Sequence, residues 1–395
     1  MSVSKINTTQ TTTTEIIQYF PDEVIYEFTK HINKLTDIHS LSLLSRHFFV
    51  VIFNSNFPIW QTLLMHHFPS SFQFAAPHLT PVRLYQNLKA IDSNMRTGTY
   101  QTLTLASHQD SVLCLEATDD KLVSGSSDGT VKIWDIKTGV EIQSINSPHA
   151  SLTNLQIKDG LMIMGLWDQT ITIWNFASNQ ELQRITGHEG LINCLEVKNG
   201  MLFSGSFDKT IKIWCIATGQ ELYSLTGHQG QINCLEVKDK LILSSSSDHT
   251  VKIWSIETGQ ELQSVLPYRG HINCIEKKGG KLIIGSDDGT IKIWDLETNQ
   301  ELHKIDGHQC AVYCLAAVDG MFFSGSSDGT IKLWDLETGK EIQSFISHQS
   351  DVYCLAVNDG LLISGSSDGS IKIWDFTPSS KITNGGNQNN NSAKL

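Results

Sequence analysis

Basic residues are in short supply. The 395-residue chain carries 29 Lys and Arg against 41 Asp and Glu, a formal net charge of −12. Duplex DNA and anionic membranes reward clustered Lys and Arg, so neither fits as the main partner. No apolar run reaches the roughly 18 residues of a membrane-spanning helix. The opening residues, MSVSKINTTQTTTTE, lack the apolar core of a secretory signal. Residues 1–14 read instead as a disordered leader. There is no C-x-x-C pair, no phosphate-binding loop and no G-x-S-x-G turn before a helix. A zinc centre, a nucleotide site and a hydrolase nucleophile are therefore left without a motif, and no metal, cofactor or catalytic residue is expected. Hydrophobic residues make up 40% and charged residues 18%, the balance of a globular chain.

What is abundant is repetition. Seven tryptophans recur every 40 residues, from Trp134 through Trp174, Trp214, Trp254, Trp294 and Trp334 to Trp374. Seven aspartates keep the same step, from Asp128 through Asp168, Asp208, Asp248, Asp288 and Asp328 to Asp368. Six of the eight cysteines (114, 194, 234, 274, 314 and 354) also differ by multiples of 40, which marks a small buried hydrophobe in a reducing cytosol. The unit from His108 to Ile145 contains four short alternating runs, VLCLEA, KLVSGS, TVKIWD and VEIQSI. Period-2 alternation broken by Gly, Asp and Asn predicts strands joined by hairpins. Four strands, seven times over, predict a β-propeller.

On these residues the chain resembles the WD-repeat family. The units begin on Gly187-His188, Gly227-His228 or Gly307-His308 and end on IKIWD-type runs. Asp follows the Trp at 135, 295, 335 and 375, whereas Asn175, Cys215 and Ser255 replace it elsewhere. The resemblance covers residues 98–378. It implies a hydrogen-bonded chain of Trp, Ser, His and Asp inside each blade. The buried indole N–H needs an acceptor, a hydroxyl supplies it, and the Asp fixes the His tautomer. Five units carry the full set. The first has His108, Ser124, Asp128 and Trp134, and the third has His188, Ser204, Asp208 and Trp214. The fourth has His228, Ser244, Asp248 and Trp254, and the sixth has His308, Ser324, Asp328 and Trp334. The seventh has His348, Ser364, Asp368 and Trp374. A set that recurs in five units is a structural staple and not a catalytic triad. In the second and fifth units Met164 and Ile284 stand where Ser is expected, and the His is displaced, with His149 one residue late and Tyr268 in its place. Losing both partners together is the pattern expected of a network, and those blades are expected to be less rigid. The tail at 379–395, rich in Asn, Gly and Ser, offers no fourth strand for the last blade. The run TYQTLTLAS, Thr99–Ser107, aligns in phase with QELYSLTGH and is expected to close the ring.

The first 97 residues lack the repeat. Their apolar spacing is helical, and Pro21-Asp22-Glu23 makes a sound helix start. Residues 15–70 resemble an F-box. Phe20-Pro21-Asp22-Glu23-Val24 carry the match, with Leu41, Leu43, Leu44 and Ser45, then Phe48, then Trp60, Leu63 and Leu64. Residues 71–97 form a linker, in which Pro81 to Gly98 predicts a helix. The expected fold is thus an all-β seven-bladed propeller preceded by a small all-α F-box-like module and a linker helix.

The combined resemblance implies a substrate-recognition subunit of an SCF-type cullin–RING ubiquitin ligase, performing no chemistry of its own. Phe20, Pro21, Val24, Ile25, Leu41, Leu44, Phe48 and Trp60 would bind a Skp-family adaptor. In this family the target-binding face lies beside each first strand and just before each turn Asp. That places Trp167, Phe207, Asp287, Tyr313, Tyr353, Asp351, Asn193, Asn233 and His271 on it. Arg184 and Arg269 are the propeller's two arginines, so a neutral or basic peptide is expected there and not a phosphorylated one. The setting implied is the cytoplasm, or a host's cytosol if the source is an intracellular bacterium. The alternative is a propeller scaffold for complex assembly with no link to ubiquitin.

Overall fold

The computed structural model describes residues 81–118, 120–147, 151–265 and 270–378. The leader, the F-box-like segment with the residues expected to bind an adaptor, positions 71–80 and the tail lie outside the described residues, as do His149, Tyr268 and Arg269.

Helix α1 (Pro81–Thr97) begins on proline, whose fixed φ suits a first helical turn. It ends at Gly98, where φ is 67° and the Thr99 N–H donates to the Asn94 carbonyl at 2.9 Å. The last turn, from Asn94, belongs to the same compact unit as the strands. Asn94 Nδ2 donates to the Phe376 carbonyl at 2.8 Å, Arg96 pairs with Asp335 at 3.5 Å, and Met95 is buried.

Among the described residues twenty-eight strands follow, in seven antiparallel four-stranded sheets. Blade I is β2 (Val112–Ala117), β3 (Lys121–Ser126), β4 (Thr130–Asp135) and β5 (Glu141–Asn146). Blade II is β6 (Leu152–Lys158), β7 (Leu161–Leu166), β8 (Ile171–Asn175) and β9 (Gln180–Ile185). Blade III is β10 (Ile192–Lys198), β11 (Met201–Ser206), β12 (Ile211–Cys215) and β13 (Glu221–Leu225). Blade IV is β14 (Ile232–Lys238), β15 (Leu241–Ser246), β16 (Val251–Ser255) and β17 (Glu261–Val265). Blade V is β18 (Ile272–Lys278), β19 (Lys281–Ser286), β20 (Thr290–Asp295) and β21 (Gln300–Asp306). Blade VI is β22 (Val312–Val318), β23 (Met321–Ser326), β24 (Thr330–Asp335) and β25 (Glu341–Ile346). Blade VII takes β26 (Val352–Asn358), β27 (Leu361–Ser366) and β28 (Ser370–Asp375), and its outer strand is β1 (Gln101–Ala106). Leu103 pairs with Ile373 and Leu105 with Ile371, so the strand that precedes all the units completes the last one.

The first strand of each blade packs against the first strands on either side, and β26 returns to β2. The hydrophobic core lies between blades. Val123, Val131 and Ile133 of blade I pack with Leu152, Leu155 and Met162 of blade II, while Leu115 and Trp134 pack with Ile363, Ile371 and Ile373 of blade VII. Second strands are buried on both faces, which is why they read as near-continuous apolar runs. Outer strands β5 and β13 stay exposed apart from one buried residue near the end, Ile145 and Leu225.

The periodic cysteines are free thiols that plug these interfaces. Each sits beside a register shift in the inner hairpin; Cys114, Cys194, Cys274, Cys314 and Cys354 face a glycine, at 125, 205, 285, 325 and 365, and Cys234 faces Ser245. A Cβ at any of these glycines would lie 2.6 Å from the facing Sγ. Burial pushes the thiols of Cys114 and Cys234 up to about 12, and those of Cys194, Cys274, Cys314 and Cys354 well above the ordinary range.

Candidate functional site

The turn between second and third strands is held by a polar relay. In blade III the Trp214 indole N–H donates to Ser204 Oγ at 2.8 Å, Ser204 Oγ meets His188 Nε2 at 2.7 Å, and His188 Nδ1 meets Asp208 Oδ2 at 2.7 Å. Blades IV and VI repeat it within 0.2 Å. In blade I the His108–Asp128 link is 3.2 Å. Blade VII departs from the expected set. His348 Nδ1 stands 3.6 Å from Asp368, and Ser370 Oγ at 2.9 Å is its near partner.

Ser370 belongs to a fifth relay position that the Trp–Ser–His–Asp reading omitted. A hydroxyl two residues beyond the Asp donates to it at 2.5–2.6 Å in all seven blades, from Thr130, Thr170, Thr210, Thr250, Thr290, Thr330 and Ser370. Its signal is the same 40-residue period. A second omitted set covers the Trp rings. Lys132, Lys212, Lys252, Lys292 and Lys332 pair with Glu141, Glu221, Glu261, Glu301 and Glu341 at 2.7–2.9 Å. In blades I, III and VI the ammonium also lies 5.6–5.9 Å from the Trp ring centre.

Burial is the largest influence on His108, His228, His308 and His348, pushing the first three down and His348 down to about 4. For Asp248 burial opposes ionisation, but bonds from Thr250, the Gln229 N–H and His228 outweigh it and hold the carboxyl at about 2. For these four histidines a neutral imidazole beside an ionised carboxylate follows.

In blades II and V the replacement of Ser is incomplete as a compensation. The Trp174 and Trp294 indole N–H groups are buried with no hydrogen-bond partner. Thr172, Thr153 and Asn154 add further unpaired oxygens in blade II.

The two groups of face residues predicted from the sequence are brought together by one repeated bond. The N–H of the residue before each turn Asp donates to the carbonyl of the residue that precedes the blade's first strand. It runs from Ser127 to Ser111, Trp167 to Ser151, Phe207 to Leu191, Ser247 to Gln231, Asp287 to His271, Ser327 to Ala311 and Ser367 to Asp351, at 2.9–3.1 Å. Both series therefore share one face. Trp167 is 53% exposed there, Asp287 and His271 are exposed, and Phe207, Asp351, Tyr313 and Tyr353 are half-buried.

Tyr313 and Tyr353, from neighbouring first strands, set their rings 5.1 Å apart, and Tyr353 Oη donates to Asp351 Oδ2 at 3.2 Å. Burial first, and then the Asp351 charge, pushes the Tyr353 hydroxyl up to about 12. Asn193 and Asn233 serve a different end. Their amides donate to Ile232 and Asn233, and to Ile272, carbonyls of the next blade, and so stitch the first strands together. His271 meets a residue that the sequence reading did not select. Its Nδ1 bonds the Ser247 carbonyl at 2.9 Å, His249 Nδ1 bonds the Gly270 carbonyl at 2.8 Å, and the rings lie 5.0 Å apart across the blade IV–V seam.

The first strands also carry Glu116, Glu196, Glu236 and Glu276, again in phase. Burial foremost pushes Glu116, Glu196 and Glu276 up to about 7, and neighbouring carboxylates add to the shift for Glu196 and Glu276.

Comparison with known proteins follows the same outline. The family described as WD domain, G-beta repeat matches residues 99–135, 179–215 and 219–255, and the IP5P C-F beta-propeller family matches residues 270–374. The probable E3 ubiquitin ligase complex SCF subunit sconB of Arthroderma benhamiae is 35% identical over 77 residues, 18% of this chain and 12% of that protein. Its counterpart in Aspergillus oryzae is 34% identical over 62 residues, 16% and 9% of the two chains. The chain thus spans only about a tenth of the length of these curated relatives. The crystal structure of the computationally designed Ika8 protein is 32% identical, with a TM-score of 0.60, over 70% of this chain and 99% of that one. No helix among the described residues is long and apolar enough to cross a membrane. The chain belongs to the WD-repeat propellers, with a ring of seven blades.

Proposed function

We propose that this chain is the target-recognition subunit of an SCF-type cullin–RING ubiquitin ligase. Residues 15–70 bind a Skp-family adaptor and the propeller face binds the target protein. The chain supplies proximity and does no chemistry itself, raising the effective concentration of a target lysine near the conjugating enzyme. The observation that carries the reading is a seven-bladed WD-repeat ring with partial similarity to SCF subunits, in a chain whose N-terminal segment has F-box-like residues. The test is co-purification of the full chain with a Skp adaptor and its cullin. Adaptor retention is expected, with loss in the Pro21→Ala, Leu44→Ala double variant. A wild-type chain that retains no adaptor, or a double variant that retains it fully, leaves the propeller as an assembly scaffold without a ubiquitin link.

A further inference from the structure

We infer that the face between blades VI and VII takes one cationic side chain, a lysine or arginine of an unphosphorylated peptide, against the Tyr313–Tyr353 ring pair. The inference rests on the reading that this face binds the target, and it names the chemistry of that target. Four observations support it.

First, the two rings come from neighbouring blades, with centroids 5.1 Å apart and planes inclined by 53°, and both residues are only half-buried. Second, the ring pair is flanked by acids. Asp351 accepts the Tyr353 hydroxyl at 3.2 Å. Asp287 in blade V acts on Tyr313, and Asp110, just before β2, acts on Tyr353. Third, no ion pair joins Asp110, Asp287 or Asp351 to any lysine or arginine among the described residues. By contrast, the lysines beneath the blade tryptophans are matched to glutamates, and Arg184 in blade II lies 3.7 Å from both Asp168 and Glu181. Fourth, the Tyr353–Asp351 bond draws the phenol toward the carboxylate, so the ring is held in place before a ligand arrives. An electron-rich ring pair with Asp351 bonded to one phenol, under the charges of Asp287 and Asp110, and with none of the three ion-paired to a described lysine or arginine, is complementary to an ammonium or guanidinium group and repels a phosphate.

The test uses the full chain and three synthetic peptides, acetyl-Gly-Gly-X-Gly-Gly-amide with X as Arg, Lys or Gln, titrated by calorimetry or by NMR of the tyrosine rings. The Arg and Lys peptides are expected to bind at least about tenfold more tightly than the Gln peptide. Tyr313→Leu should weaken them by about tenfold, while Tyr313→Phe, which keeps the ring face, should stay within about threefold. Asp351→Asn should weaken binding and flatten its salt dependence. Thermal melts of each variant exclude unfolding as the cause. Equal binding of the Gln peptide, or unchanged binding in a folded Tyr313→Leu, Tyr353→Leu chain, overturns the inference. This result is separable from adaptor capture. A chain that discriminates the peptides but retains no adaptor keeps the cation site and loses the ligase role, and the converse result does the reverse.

Discussion

Cys234 stands opposite Ser245 in the inner hairpin of blade IV, at the position where every other cysteine-bearing inner hairpin places glycine. The Ser245 hydroxyl is buried without a partner, and Cys234 Sγ lies 3.9 Å from the Leu235 carbonyl and 4.0 Å from that of Ile275. Gly285 is the contrasting case, since a Cβ there would lie 2.6 Å from Cys274 Sγ and 2.7 Å from Val312 Cγ1. Gly285→Ala should therefore destabilise the ring by about 1–3 kcal/mol through overpacking. Ser245→Gly should leave stability unchanged or raise it by about 1 kcal/mol, because losing an unpaired hydroxyl offsets the entropy of a new glycine. Urea midpoints at constant slope check both signs.

The relay predicts a second effect. Ser244 accepts from Trp254 and contacts His228, so Ser244→Ala strands two buried polar groups. A loss of about 2–3 kcal/mol is expected. In blade V the opposite exchange, Ile284→Ser, offers Trp294 an acceptor but gives up a fully buried aliphatic group that packs with Leu243 and Leu282. The lost burial should dominate, leaving that variant also less stable, by about 1–3 kcal/mol. A gain would mean that the orphan indole outweighs the packing.

Two sets of groups pull the pH dependence in opposite directions. Glu196 titrates at about 7 in the folded chain and near 4.5 when unfolded, so the folded state binds the extra proton between those values. Its contribution is complete below the unfolded value and is lost as pH rises through 7. Glu196→Gln should therefore be more stable than the parent at pH 8, by an amount on the order of 2 kcal/mol, with the advantage shrinking at pH 5 and gone near pH 4. His348 behaves in the other sense. Its folded value of about 4 lies below the unfolded 6.5, so its contribution is lost as pH falls between them. A Gln advantage that does not shrink with acid contradicts the assignment for Glu196.

The ring was legible because each blade spells the same strand pattern. Trp, Asp and Ser at one period placed the relay, and the in-phase TYQTLTLAS run marked the strand that pairs with β28. Less legible were features set by neighbours in space. Nothing local distinguishes Asn193, whose amide is spent on the next blade, from a residue with its amide free for a ligand. The His249–His271 pair joins residues 22 apart whose rings meet only because two turns abut at a seam. The hydroxyl after each Asp was visible as a repeat, but its bond to the carboxylate needed the turn geometry to become apparent.

The pairing of β1 with β28 also sets an order in time. β1 leaves the ribosome before any blade, whereas its partner, Ser370–Asp375, leaves after all the others. Six blades can form from neighbouring segments as they emerge, but the seventh joins strands more than 260 residues apart and must wait until Ser370–Asp375 has been made. Until then β1 carries an unpaired edge, and the finished ring becomes a kinetic checkpoint: a chain truncated within blade VII keeps most of its repeats yet never closes.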